Sequence, residues 1–549
     1  MDIKQLFPIL KWLPNYNAKL FKGDLSAGLT VGIMLIPQGM AYAMLAGVPP
    51  IYGLYAAIFP QLVYALMGTS RQLGVGPVAM DSLLTAVAVS QFAQAESDEY
   101  VAIAILLALM VGVIQVAMGI LRLGFLVNFL SRPVIGGFTS AAALIIGFSQ
   151  LKHLLGVDIP GSQYFYEIVW FNLSEIGSTN VHSLWVGVLG ILIILGFKKW
   201  LPSIPAPLVV VVMGILLVWG LGLHEYQVKI VEDIPSGLPV FGIPNLDWDM
   251  MQKLMGSAFT IAIVAFMEAI AVGKAIQARH KDYKIVPNQE LLALGAGNIV
   301  GAMFQSFPTT GGFSRSAVND QSGAKTNMAA IISALFVILT LMFLTSWFYF
   351  LPKAVLASII MVAVFKLINI KEPKKLWGND RQDFLVWLVT FVATLTIGIQ
   401  LGILVGVLLS IMLMMYRIGY PDIEYKNGET RLYQKEYSEL NGGQTIVLRF
   451  DEQLCYVNSE LFQDKVEQLL EEKSDLKQLV LDASGINYID STAAYVLEEV
   501  SVLAQSKNIE MILLAAKDNI INILKKNNLE YVSVQGRSIE NWLASASTV

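Results

Sequence analysis

The sequence predicts a polytopic α-helical membrane protein of about fourteen membrane elements in two inverted halves of seven, followed by a small soluble α/β domain. Three observations carry this expectation. The 549-residue chain is 55% hydrophobic and only 14% charged, well below the roughly 25% charged of soluble domains. Its apolar residues fall into long charge-free runs. Two of the membrane-grade stretches are broken by glycine and proline in corresponding places: Leu73-Gly-Val-Gly-Pro-Val-Ala-Met80 and Phe307-Pro-Thr-Thr-Gly-Gly-Phe-Ser-Arg-Ser-Ala-Val318.

A membrane helix needs about 20 mostly apolar residues. Charge-free runs occupy 25–47, 51–69, 101–121, 133–151, 181–197, 205–222, 291–305, 326–352, 354–365 and 384–416, and 254–273 is interrupted only by Glu268. The run 384–416 is too long for one span and has its natural break at Gly398–Gly402. With the two broken segments this makes seven elements before Gly222 and seven after Met250. Backbone that leaves the helix at membrane depth must line a cavity or be buried in protein, because lipid cannot satisfy its polar groups. A half-helix that starts there directs free N–H groups and a positive dipole end into that cavity. The simplest cargo for two such ends is an anion.

Charge supplies an independent check. With both ends cytoplasmic, twenty basic residues fall inside, among them Lys4, Lys11, Lys19, Lys22, Arg71, Arg122, Arg132, Lys198, Lys199, Lys274, Arg279, Lys281 and Lys284. Only Lys152, Lys229, Lys253 and Lys353 fall outside, and Arg315 lies at membrane depth. That is the bias of the positive-inside rule. The halves also echo each other: a shift of 230 residues lays Pro37-Gln-Gly-Met-Ala41 on Met267-Glu-Ala-Ile-Ala271. Seven is odd, so two successive units of seven run in opposite directions through the membrane.

Beyond Arg417 the pattern changes. Residues 421–549 carry 12 basic and 21 acidic residues, net −9; 37 less 12 and 42 less 21 leave 25 and 21 for the remainder, net +4. Thr445–Phe450, Leu479–Asp482 and Met511–Ala515 read as strands, and Ser459–Glu472, Ala493–Gln505 and Ile520–Lys526 as helices, with Asp490 or Ser491 as a cap. Strands alternating with helices make a small α/β domain. The resulting organisation is a cytoplasmic segment 1–23, a transport domain 24–420 (first half about 24–222, second about 250–420) and a soluble domain 421–549. Cys455 is the only cysteine, and no Cys/His metal spacing, nucleotide loop, nucleophile–base pair or cleaved signal is visible. Neither a metal, a cofactor nor an enzymatic activity is expected, and no nucleic acid partner.

The membrane part resembles the sulfate permease (SulP) family of anion transporters. The resemblance rests on Pro37-Gln-Gly-Met-Ala-Tyr42, Pro49-Pro-Ile-Tyr-Gly-Leu-Tyr-Ala56, Gly76-Pro-Val-Ala79 and Gly312-Phe-Ser-Arg-Ser-Ala-Val-Asn319, and the tail, especially Asp482–Ser491, looks like a STAS domain. What this resemblance implies is a core unit and a gate unit, an anion held between the starts of half-helices three and ten, an elevator-like shift of the core, a homodimer and a cytoplasmic STAS domain.

Particular residues then become candidates. Gly76, Pro77, Val78 and Ala79 would begin the first half-helix, with proline at a first helical position where no N–H is needed. Phe313, Ser314 and Arg315 would begin the second, and serine N–H and O–H both donate to an oxyanion. The bland alternative is a pair of glycine-kinked structural helices. An intramembrane charge is expensive and usually functional, so Arg315 either supplies positive potential to the anion or pairs with Glu268 or Asp320. Glu268 is a coupling-ion candidate: a proton carrier, a sodium ligand, or a packing carboxylate. The resemblance adds that sodium-coupled bicarbonate carriers of the family tend to have aspartate and hydroxyl ligands here, which favours a proton for glutamate. Gln38, the repeat counterpart of Glu268, contacts substrate or bonds another helix. Tyr42 lines the cavity or packs; Asp81 answers a helix dipole or faces the substrate. Ser491 matches the phosphorylated position of anti-sigma-factor antagonists and is otherwise a helix cap.

The expected function is secondary active transport of an inorganic anion, sulfate first, by proton-coupled symport across the cell membrane. Sodium-coupled bicarbonate or dicarboxylate transport is the rival within the family. An anion channel and a nucleobase carrier are the rivals outside it.

Overall fold

The computed structural model describes residues 3–125, 131–159, 162, 164–201, 205–277, 279–280, 282–419, 432–436, 444–450, 452–472, 475–526 and 532–535. Lys281 and the expected domain boundary near 420 lie outside them. The chain forms two compact units, Met1–Leu408 and Leu409–Val549.

Among the described residues the first unit, with the helix that leaves it, is organised around fourteen main helices, joined by shorter ones such as Phe165–Ser174 and Lys371–Asn379. The first seven are α1 (Ala18–Ala46), α2 (Pro50–Met67, interrupted between Tyr55 and Phe59), α3 (Ala79–Val89), α4 (Asp98–Ile120), α5 (Arg132–Ser149), α6 (Val181–Trp200) and α7 (Ala206–Leu221). The second seven are α8 (Trp248–Gln277), α9 (Pro287–Met303), α10 (Phe313–Gln321), α11 (Met328–Phe343), α12 (Lys353–Val364), α13 (Arg381–Ile397) and α14 (Ile399–Gly419). Among the described residues seven helices are long and apolar enough to cross a membrane by themselves. The break expected in 384–416 falls at Gly398, whose φ of +93° turns α13 into α14.

Packing repeats between the halves. α1 lies on α10 and α11 as α8 lies on α3 and α4, and α5 lies on α13 as α12 lies on α6. Two bundles result. One gathers α1–α4 with α8–α11; the other gathers α5–α7 with α12–α14, and they meet where α1 packs on α7 and α12 and where α3 packs on α5. Small residues bring the helices of the first bundle close. A Cβ on Gly112 would stand 2.7 Å from the Gly295 carbonyl oxygen, and one on Gly295 equally close to that of Gly112, so α4 and α9 touch backbone to backbone. Gly53 meets the Gly39 carbonyl in the same way between α2 and α1.

Buried carboxylates stitch the same bundle. Asp24 accepts from Lys325 N (2.6 Å), Thr326 N (2.9 Å) and Thr326 Oγ1 (2.6 Å). Glu290 accepts from Tyr64 Oη (2.7 Å), Thr69 N (2.7 Å) and Thr69 Oγ1 (2.5 Å). Each joins the first half to the second, and each is satisfied by several donors, which is what a buried charge requires.

The second unit carries a five-stranded sheet in the order β3 (Leu432–Glu436), β4 (Thr445–Phe450), β5 (Gln478–Asp482), β6 (Glu510–Leu514), β7 (Val532–Gln535), with β3 antiparallel to β4 and the rest parallel. Helices α15 (Ser459–Glu472), α16 (Ser491–Ser506) and α17 (Asp518–Lys526) complete it. Phe462, Val466, Leu469, Leu497 and Val500 bury the amphipathic stripes against Leu448, Leu479 and Leu481.

Candidate functional site

The two broken segments meet. Val75–Gly76 (β1) and Thr310–Gly311 (β2) form a two-residue antiparallel ladder, Val75 opposite Gly311 and Gly76 opposite Thr310, extended by Gly312 N–H donating to Gly74 O (3.0 Å). From this ladder the chain runs directly into α3 on one side and α10 on the other. Val78 and Gly312 are the N-cap residues, and neither helix has a side-chain cap. The first helical bonds go from Ser82 N to Val78 O and from Ser316 N to Gly312 O. The N–H groups ahead of them are the orphan donors of a helix start. Gly76 has φ of +148°, a conformation that favours glycine.

This placement corrects one expectation. Pro77 is not the first residue of a helix; it sits between the ladder and the N-cap, and α3 begins at Ala79. The reason lies in the ladder, which holds Gly76 extended and delays the helix by two residues. Pro77 contributes a carbonyl instead.

Arg315, in the first turn of α10, is buried and turns back across the ladder. It donates through Nη1 to Pro77 O and through Nη2 to Gly74 O (3.5 Å), while Nε has no partner. Neither carboxylate partner expected for it is taken up. Asp320 is held by Arg279 (3.2 Å) and His280 (2.5 Å), a turn further along α10, and Glu268 bonds to no group among the described residues. The guanidinium thus reaches across the two half-helix starts from their backbone side, within electrostatic reach of Glu268 and Tyr42.

Gln38 and Tyr42 lie one turn apart on α1, both buried and both without a hydrogen bond among the described residues. Pro37 beside them removes an N–H from the middle of α1. Glu268 is half-buried in the middle of α8, and Phe313 and Ser314 are exposed while Val78 and Ala79 are buried. Tyr42 of α1, Glu268 of α8 and Arg315 of α10 act on one another electrostatically, so polar groups of three helices lie together near two uncapped helix starts. Ser491 belongs to the other unit. It is the exposed first residue of α16, and the cap is Asp490, which accepts from Ala493 N (2.9 Å) and Tyr456 N (2.8 Å).

A buried amide network missed by sequence reasoning supports the ladder. Asn298 on α9 accepts from Thr309 N (2.9 Å), donates to Thr309 O (3.1 Å) and bonds Gln115 of α4 (3.1 Å), which donates to Ala262 O on α8 (3.2 Å). Thr310 Oγ1 donates to Ala265 O (2.6 Å), and Ser316 Oγ accepts from Gly74 N (2.8 Å). The signal available was an Asn and a Gln in otherwise apolar spans, since buried amides must find partners. An arrangement of this kind fixes donors in place before any ligand arrives.

Comparison with known proteins agrees in fold and in sequence. A profile described as "Sulfate permease family" matches residues 21–390, and one described as "STAS domain" matches residues 438–540. The Arabidopsis thaliana "Sulfate transporter 4.1, chloroplastic" is 36% identical over 93% of this chain and 77% of its own length. The Bos taurus "Sodium-independent sulfate anion transporter" is 38% identical over 71% of this chain and 69% of its own length. The solved murine Solute Carrier 26 family member A9 anion transporter, in the inward-facing state, superposes with a TM-score of 0.89 at 26% identity, covering 100% of this chain and 95% of that one.

Proposed function

As a member of the sulfate permease family with a C-terminal STAS domain, this chain is a multi-pass membrane anion transporter, and we propose that it is a proton-coupled sulfate symporter. The observation that carries the proposal is the pair of uncapped half-helix starts tied together by the β1–β2 ladder, with Arg315 across them and an unpaired Glu268 beside them. Sulfate accepts hydrogen bonds from the first-turn N–H groups of α3 and α10 and from Ser314, and both dipole ends face its charge. Gln38 and Tyr42 donate from α1. Arg315 adds positive potential from behind the backbone without occupying the space the anion needs.

Glu268 carries the proton. A half-buried carboxylate with no partner takes up a proton when a dianion arrives next to it and releases it when both reach the other side, which ties uptake to the proton gradient. The names borne by the relatives, sulfate transporters and a sodium-independent one among them, favour sulfate and protons over bicarbonate and sodium. The two-bundle division supports an elevator: the whole site lies in the bundle of α1–α4 and α8–α11, which would slide against the other along the faces of α7 and α12. The N-terminus and STAS domain face the cytoplasm of the cell membrane in this reading, supported by the excess of Lys and Arg on that side. The homodimer implied by the family is part of the same reading.

The test is uptake of labelled sulfate into proteoliposomes under an inward proton gradient, an inward sodium gradient, or neither. Accumulation driven by protons, reduced in Glu268→Gln with sulfate binding retained, is the expected result. Labelled bicarbonate entering only with sodium, and no sulfate under any gradient, would overturn it in favour of the family's other cargo.

A further inference from the structure

Asp81 is the third residue of α3, in the first turn of a helix whose start faces the anion in the reading above. It is completely buried, and among the described residues neither of its carboxylate oxygens has a hydrogen-bond partner. Ser82 beside it is also completely buried, with an unpartnered Oγ. The contrast with the other fully buried carboxylates described in the membrane unit is sharp. Asp24 and Glu290 are each surrounded by donors.

Four elements pack against α3, and the polar groups they carry are these. α8 presents Glu268, which acts on Asp81 electrostatically. α1 presents Tyr42 and the uncharged Gln38. α4 presents Tyr100, whose hydroxyl is committed to Ala46 O (2.7 Å). α5 has Arg132 only at its first residue. Among the described residues no cation pairs with Asp81, and the Arg315 guanidinium is occupied by the Pro77 and Gly74 carbonyls.

An ionised carboxylate without donors in such surroundings is not sustained; it neutralises. The position makes that neutralisation depend on the substrate. A negative Asp81 would sit on the positive end of α3 and repel an anion from it, whereas a protonated Asp81 leaves the dipole free. We infer that Asp81 is a second proton-carrying group, so that one sulfate dianion travels with two protons, one on Asp81 and one on Glu268. The inference rests on the proton-coupled reading of the site. The balance is simple. On the loading side two carboxylates each accept a proton from hydronium and release water; on the other side both protons return to water, and the sulfate with its two protons has moved no net charge.

The experiment uses full-length protein in proteoliposomes, comparing wild type, Asp81→Asn, Asp81→Glu and Glu268→Gln, with labelled sulfate and the membrane potential set by potassium and valinomycin. Wild type should accumulate sulfate about 100-fold per unit of pH gradient and ignore the potential, as two protons per dianion require. Asp81→Asn should fall to about tenfold per pH unit and become faster with an interior-positive potential, while Asp81→Glu restores the wild-type behaviour. A potential-independent Asp81→Asn with the full accumulation ratio would overturn the inference and leave proton coupling through Glu268 intact. Wild-type sulfate uptake indifferent to pH would overturn the underlying reading as well. Sodium-driven uptake abolished by Asp81→Asn would replace the proton by a sodium ion at this carboxylate. Should Asp81→Asn not fold, Asp81→Ser provides the same readout in a smaller side chain.

Discussion

Arg315 clamps two carbonyls and, in the proposed transport cycle, would also attract the anion; two substitutions separate these jobs. Its guanidinium bridges the Pro77 and Gly74 carbonyls, and a hydrogen bond from a charged donor is worth about 1.5–3 kcal/mol. The Gly74 bond is long, so the clamp as a whole contributes about 2–4 kcal/mol. The electrostatic job is independent. A guanidinium about 6 Å from a dianion at an effective dielectric of about 20 contributes about 5 kcal/mol, and water in the cleft reduces this to about 2.5 kcal/mol. Arg315→Lys keeps the charge but reaches one carbonyl; Arg315→Gln keeps one amide donor and loses the charge. Both should lower thermal stability in detergent by a similar amount, roughly 1–3 kcal/mol. Only Arg315→Gln should weaken sulfate binding measured by calorimetry, by about 50-fold or more. Equal sulfate affinity for Arg315→Gln and Arg315→Lys would refute the electrostatic role and leave Arg315 as a clamp.

Three further outcomes are expected. Gly53→Ala puts a methyl group into the Gly39 carbonyl and should destabilise the membrane unit by about 1–3 kcal/mol, read as a lower melting temperature of the purified protein with sulfate affinity falling in parallel. Asp490→Ala removes the α16 cap and the partner of Tyr456 N; it should reduce stability by about 1–2 kcal/mol, seen as faster amide exchange across Ser491–Ser506 in the full chain while sulfate binding is unchanged. Lys353 at the start of α12 bonds Glu96 in the loop before α4 (3.1 Å), which ties one bundle to the other. As a partly exposed pair it is worth at most about 1 kcal/mol. Glu96→Gln should therefore shift the balance between elevator positions by about fivefold at most, measured as altered cysteine accessibility at Ser314→Cys; no shift would remove the bridge from the transport cycle.

Much of this architecture was legible because membrane physics writes itself into sequence. Span lengths, the break at Gly398 and the two interrupted segments follow from hydrophobicity and from glycine and proline, and each lies where the structure has it. The soluble strands and helices were visible in their periodicity, except β3 and β7. Leu432–Glu436 carries charged and polar residues and Val532–Gln535 polar ones among its valines, as short edge strands do, so their pattern resembles a loop. What could not be read was pairing across the chain. The ladder joins positions about 235 residues apart through two-residue strands too short to leave a pattern. The bonds from Arg315 go to carbonyls, which every residue possesses, so no side-chain complement pointed to them. Asp24 and Glu290 carry no motif that singles them out in the sequence; their many donors appear only once the halves are packed. Asp81 stood out less than Glu268 because absence of a partner is a three-dimensional fact.

The ladder also changes what counts as a unit. Each strand belongs to a different half of the chain, and neither half owns the whole candidate site: one supplies α3, the other α10 and Arg315. The protein is in this respect a heterodimer of two related half-proteins that happen to share a peptide bond, and the tether between Gly222 and Trp248 has no part in the ladder itself. Residues 1–236 and 237–549 made as separate polypeptides should find each other through Asp24, Glu290 and the Gly112–Gly295 contact and reconstitute sulfate uptake, while either fragment expressed alone transports nothing. Failure of the pair to co-purify would mean that the tether, rather than the complementary faces, holds the two halves in register.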